Sequence, residues 1–146
     1  MELNENLDLI ASILEGLNYT VFLQSYAVQQ PASYSDVQVV RSVFPEIKLG
    51  KIVRIDSKTL LREVRRDVSY PGDYSHGPEK DVINSTQFIE LLESCMIAIE
   101  NLIANSLYCC EFGILDGHPA YPVFWDFSYL IRGDISSTIL IGSSSD

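Results

Sequence analysis

The sequence is poor in basic residues, poor in cysteine and without a long apolar run. Lys and Arg total 10 against 20 Asp and Glu, a formal charge of -10 over 146 residues. Broad nucleic-acid binding needs Lys and Arg to displace counterions from phosphates, so no nucleic-acid partner is expected. Docking on an anionic membrane surface is excluded on the same ground. The three cysteines are Cys95, Cys109 and Cys110. An odd count with an adjacent pair is not a disulfide framework. Strand neighbours point to opposite faces, so Cys109 and Cys110 do not converge on one metal. Reduced thiols and a cytoplasmic location are the expectation.

The richest apolar stretch, residues 88–103, is interrupted by Glu90, Glu93 and Glu100. A membrane-spanning helix needs about 20 mostly apolar residues. The start, Met1-Glu2-Leu3-Asn4-Glu5, is acidic where a secretory signal is basic. Catalytic signatures are also missing. There is no P-loop, no Gly-rich dinucleotide fingerprint, no Gly-x-Ser-x-Gly elbow, no Cys-x-x-Cys and no His-Glu-x-x-His.

Present instead is a chain that is 47% hydrophobic, the composition of a globular protein, at a length that fits a single domain over residues 1–146. Leu3, Leu7, Ile10, Leu14 and Leu17 form one apolar stripe of an amphipathic helix, ended by Gly16 and Asn18. Residues 19–28 are rich in aromatic and β-branched side chains and read as a strand; Leu23, Gln24 and Ala27 leave a continued helix as the competing reading. Ser35 caps a short helix carrying Val37, Val40, Val43 and Phe44, stopped by Pro45. A short strand at 52–55 and a helix at 58–67, with Leu60, Leu61, Val64 and Val68 on its apolar face, follow. Residues 69–81 hold prolines, glycines and polar residues and form a long loop. Asn84 and Gln87 make a capping box for the main helix, whose apolar face carries Phe88, Leu91, Leu92, Cys95, Ile99, Leu102 and Ile103.

The last third reads as three strands, 107–114, 123–131 and 137–141, with the final Gly-Ser-Ser-Ser-Asp as a frayed tail. Along the middle strand Val123, Trp125, Phe127, Tyr129 and Ile131 share the face that packs on helices. Phe124, Asp126, Ser128, Leu130 and Arg132 share a face expected to be partly wet. The predicted fold class is α+β. An antiparallel sheet, built from this three-strand meander and one or two N-terminal strands, packs against helices on one face.

Charge is segregated. Residues 41–66 hold eight of the ten basic residues and three acids, a net +5, which leaves -15 on the remainder. Residues 1–40 contain neither Lys nor Arg. On the 58–67 helix Lys58, Arg62 and Arg65 or Arg66 stack on neighbouring turns. Pairing with the chain's own acids, plain solvation or an anion site would each account for them.

Two loops carry the best candidate chemistry. Residues 73–78 and 116–119 each bring one Asp and one His, and these are the only histidines. If the loops meet, Asp73, His76, Asp116 and His118 could hold a divalent ion or act as acid and base. Ordinary turn chemistry accounts for the same residues without a site, and no metal or cofactor is expected. Asp126, in mid-strand between Trp125 and Phe127, is an exposed acid or a paired one. Cys95 falls on an apolar helix face and reads as an inert thiol.

The expectation for function is a non-enzymatic acidic binding protein, of the inhibitor or immunity type, that masks a basic protein partner such as a nuclease toxin. Tyr70, Tyr74 and Tyr121 would anchor the contact, and Asp73, Asp116 and Asp126 would supply charge. A small metal-dependent or acid–base enzyme using the two Asp/His loops is one alternative. A subunit of a larger assembly, including a homo-oligomer, is the other.

Overall fold

The computed structural model describes residues 2–146. The chain runs α1 (Leu3–Leu14), β1 (Gly16–Leu17), β2 (Thr20–Gln29), α2 (Asp36–Val43), β3 (Lys48–Ile55), α3 (Ser57–Val68), β4 (Gly77–Pro78), α4 (Thr86–Ala104), β5 (Tyr108–Asp116), β6 (Trp125–Arg132) and β7 (Ser136–Ser145). Five strands form one antiparallel sheet in the order β2-β7-β6-β5-β3. The C-terminal meander lies at its centre and the two earlier strands lie at its edges, the α+β arrangement expected. The strand reading of residues 19–28 holds, because β2 pairs along its whole length with β7.

Three helices bury their apolar stripes on one face of the sheet. Leu7, Ile10 and Leu14 of α1, Leu60, Val64 and Val68 of α3, and Phe88, Leu92, Cys95, Met96 and Ile99 of α4 meet Trp125, Phe127, Tyr129 and Ile131 of β6. Burial of such side chains contributes roughly 1.5–3 kcal/mol each before conformational entropy is subtracted. Cys109 joins this cluster while Cys110 joins the one on the opposite face, as strand alternation requires.

The opposite face is drier than the sequence pattern predicts. Ser128, Leu130 and Arg132 are all buried. A second core forms there from Val39 and Val40 of α2 together with Val28, Ile47, Phe112, Leu130, Ile139 and Ile141. The cause is a polar tether that the pattern does not advertise. Arg132 donates to Asp36 Oδ1 at 3.2 Å and to the Ala32 carbonyl at 3.3 Å. Tyr108 donates to the same Asp36 oxygen at 2.7 Å. These bonds draw the start of α2 down onto the sheet, and Val37 is left on its outer side.

Three local expectations are corrected. Leu17 leaves the α1 stripe and is 55% exposed, because the chain turns extended at Glu15 and pairs β1 with β4. The cap of α4 is Ser85 rather than an Asn84–Gln87 box. The Ser85 hydroxyl accepts from Phe88 N at 3.2 Å and donates to the Val82 carbonyl at 2.7 Å. The Gly-Ser-Ser-Ser segment is not frayed. It completes β7 and pairs with β2 on one side and β6 on the other. Gly142 stands there because the Phe127 ring lies directly over it. That ring is held between Trp125 at 5.9 Å and Tyr129 at 5.3 Å.

A methyl group at Gly142 would overlap the Phe127 ring, which has no room to retreat. Gly142→Ala is expected to destabilise the protein by about 1–3 kcal/mol. Chemical denaturation would show this as a lower midpoint with an unchanged slope.

Candidate functional site

The sheet is not continuous across its middle. β5 and β6 pair from Tyr108↔Arg132 to Glu111↔Tyr129, and there the ladder stops. Beyond it β5 continues to Asp116 against β3 alone, and the earlier part of β6 runs against β7 alone. The two strands part like a fork, and each turns an unpaired edge toward the gap. β3 carries an irregularity between Leu49 and Ile52 opposite the parted segment of β5, which lets β5 follow β3 away from β6.

The gap opens into a cleft of about 530 Å³ that also takes in the flank of α3. Four carboxylates line it: Glu63 and Asp67 from α3, Glu111 from β5 and Asp126 from β6. Glu63 and Asp67 are four apart on the helix and sit beside the Leu60–Val64–Val68 stripe, so burying the stripe turns both toward the sheet. The fully buried Tyr129 donates its hydroxyl to Glu63 Oε2 at the point where the strands separate.

The electrostatics follow from this crowding. Burial pushes the Asp67 carboxyl above the usual carboxylate range, with Glu63 and Asp126 adding repulsion. Arg66 bonds Asp67 Oδ1 at 3.1 Å and opposes the shift. It does not prevail, because its side chain is 68% exposed while that of Asp67 is 9% exposed. Glu111 is likewise raised, by burial first and by Glu63 next. Tyr129 is raised by burial and by its bond to Glu63, which keeps the phenol a donor. The cleft thus holds more negative charge than its own Lys51 and Arg66 offset.

The Asp/His loops do something else. Both ring nitrogens of His76 are engaged: Nε2 with the Tyr70 hydroxyl at 2.8 Å, and Nδ1 beside Asp73 Oδ1 at 3.2 Å and Ser75 Oγ at 3.1 Å. The ring stacks on Phe124 at 4.0 Å and pins loop 69–81 to the start of β6. His118 accepts from Ala120 N at 2.9 Å through Nδ1, so its proton sits on Nε2, which is buried without a partner. Burial lowers its pKa and keeps it neutral. Among the described residues no three His, Cys, Asp or Glu side chains converge as a metal would need. Asp73, His76, Asp116 and His118 therefore do not assemble a metal centre.

The predicted anchors divide in the same way. Tyr74 is 95% exposed and Tyr121 is 75% exposed, so both are free to meet a partner. Tyr70 is not, for its ring stacks between Tyr19 and Phe124. Asp73 closes a turn by accepting from Ser75 N, Ser75 Oγ and His76 N. Asp116 ends β5 opposite Lys48, and Asp126 lines the cleft. Glu63, Asp67 and Glu111 were not singled out from sequence. The four-residue spacing of Glu63 and Asp67 beside an apolar stripe was the available signal. Cys95 is the inert thiol expected, its pKa pushed up to about 12 by burial.

Comparison with known proteins gives no matching family model, no matching curated protein and no matching solved structure. No helix among the described residues is long and apolar enough to cross a membrane.

Because the folded state raises the Asp67 pKa, its ionised form costs stability. That cost is present above the raised pKa and disappears below the ordinary aspartate value. Asp67→Asn is expected to raise the melting temperature at pH 7. The gain should shrink to nothing as the pH falls through the carboxylate range, and thermal melts of both proteins from pH 3 to 7 measure it.

Proposed function

We propose that this chain is a non-enzymatic acidic binding protein that masks a basic protein partner, in the manner of an inhibitor or an immunity protein guarding against a toxin such as a nuclease. One observation carries the reading. Of 20 carboxylates, those of Asp36, Asp67 and Glu93 pair with an arginine among the described residues. The rest make no ion pair with a lysine or arginine among the described residues, on a molecule of charge -10. Such a surface attracts a basic macromolecule at long range and speeds its capture. The basic stretch of residues 41–66 does not cancel it. Arg54 lies over the Tyr108 ring at 3.3 Å, and Arg65 and Arg66 are the members of that stretch in ion pairs.

The acid–base enzyme reading finds less support. Its two loops serve as turns and staples, and the ring nitrogens are bonded or buried.

The immobilised protein, exposed to lysate of its source cells in low salt, is expected to retain a basic protein that elutes as salt rises. Adding the acidic chain to that purified protein should abolish its activity at one-to-one stoichiometry. Retention of no basic protein, or binding indifferent to salt, would overturn the reading.

A further inference from the structure

The fork between β5 and β6 has features that a diffuse acidic surface lacks. Its edges are backbone edges, unpaired beyond the Glu111↔Tyr129 rung. Its volume, about 530 Å³, exceeds what one side chain fills and falls in the range of built binding clefts. Its walls bring Glu63, Asp67, Glu111 and Asp126 together, against Lys51 and Arg66. Resting on the masking function argued above, we propose that the fork is where the partner enters: an extended segment bearing Lys or Arg pairs its backbone with the open edge of β6 and sets its cations among the four carboxylates.

Strand addition suits the geometry because main-chain bonds supply affinity on an unpaired edge while alternate side chains supply specificity. Alternation places every second side chain of such a segment on the α3 side, where Glu63, Asp67 and Tyr129 stand. The intervening side chains fall on the side of Asp126. Cations fit both sides. A carboxylate held at raised pKa by burial and by like neighbours gains most from an incoming positive charge. An acidic or apolar segment would leave the buried Asp67 with the exposed Arg66 alone to offset it.

The test uses a synthetic peptide of alternating Arg and Thr, an alternating Glu and Thr control, and the free polyamine spermine. Hydrogen exchange on the full chain reads protection at residues 112–116 and 125–128, and calorimetry reads affinity. The Arg peptide is expected to bind and to protect those amides, and the Glu peptide to do neither. A fork variant, Glu63→Gln with Asp67→Asn, Glu111→Gln and Asp126→Asn, should bind about tenfold more weakly or worse. A matched variant, Glu2→Gln with Glu5→Gln, Glu15→Gln and Asp134→Asn, loses as much charge elsewhere and should bind within about twofold. Melting temperatures establish that both variants fold.

Equal weakening in the two variants overturns the fork as the entry point while leaving the general masking function standing. Spermine binding as tightly as the peptide, with no amide protection, overturns strand addition. Protection of the same amides by self-association shows that the occupant is a second copy and overturns the proposal. A peptide that does not bind overturns it too, and the lysate experiment then decides separately whether any basic partner exists.

Discussion

The parting of β5 from β6 at the Glu111↔Tyr129 rung is the constraint from which the rest of the site follows. Were the ladder to continue, the region would be an ordinary sheet interior, and no cleft would open beside Glu111 and Asp126, which are both exposed strand acids. Because it stops, both acids face a common gap with Glu63 and Asp67 of α3. Tyr129 marks the boundary. Its ring belongs to the core under the three helices, and its hydroxyl reaches out to Glu63. A single side chain thus joins the apolar packing that positions α3 to the charged gap that α3 flanks.

The fork exists because each of its arms is held more firmly by something else. β6 is committed to β7 along Trp125–Ser144 to Ile131–Thr138, reinforced by the Trp125, Phe127 and Tyr129 stack. β5 is committed to β3, whose irregularity around Gly50 bends both strands together. The connection between them stays on the surface, with His76 stacked on Phe124 at its β6 end. Closing the gap would crowd four carboxylates further, and like charges brought together resist that. An incoming cationic segment would reverse the sign of this resistance.

Much of the fold is legible in the sequence, because hydrophobic period encodes it directly. The stripes of α1, α3 and α4 and the alternation of β6 each name their own buried face. What escapes is what depends on a partner distant in sequence. The last serines look like a tail by composition, yet they pair with β6 beside Trp125 and Asp126, next to the glycine that the Phe127 ring requires. The second core escapes because its tether, Arg132 to Asp36, joins residues far apart in the chain. The site was half visible: Asp126 is anomalous on its own strand, whereas Glu63 and Asp67 look like solvated helix acids until the sheet is placed beside them. His76 and His118 are the chain's scarce chemical residues, yet His76 is bonded at both ring nitrogens and His118 is bonded at Nδ1 with Nε2 buried.

The most direct measurement is the titration of the individual carboxyl carbons of Asp67 and Glu111 by nuclear magnetic resonance. A parted sheet with its acids crowded in a cleft predicts that Asp67 and Glu111 protonate above the usual carboxylate range, and that a bound cationic segment brings both back down. Ordinary titration of both, unmoved by that segment, would contradict it.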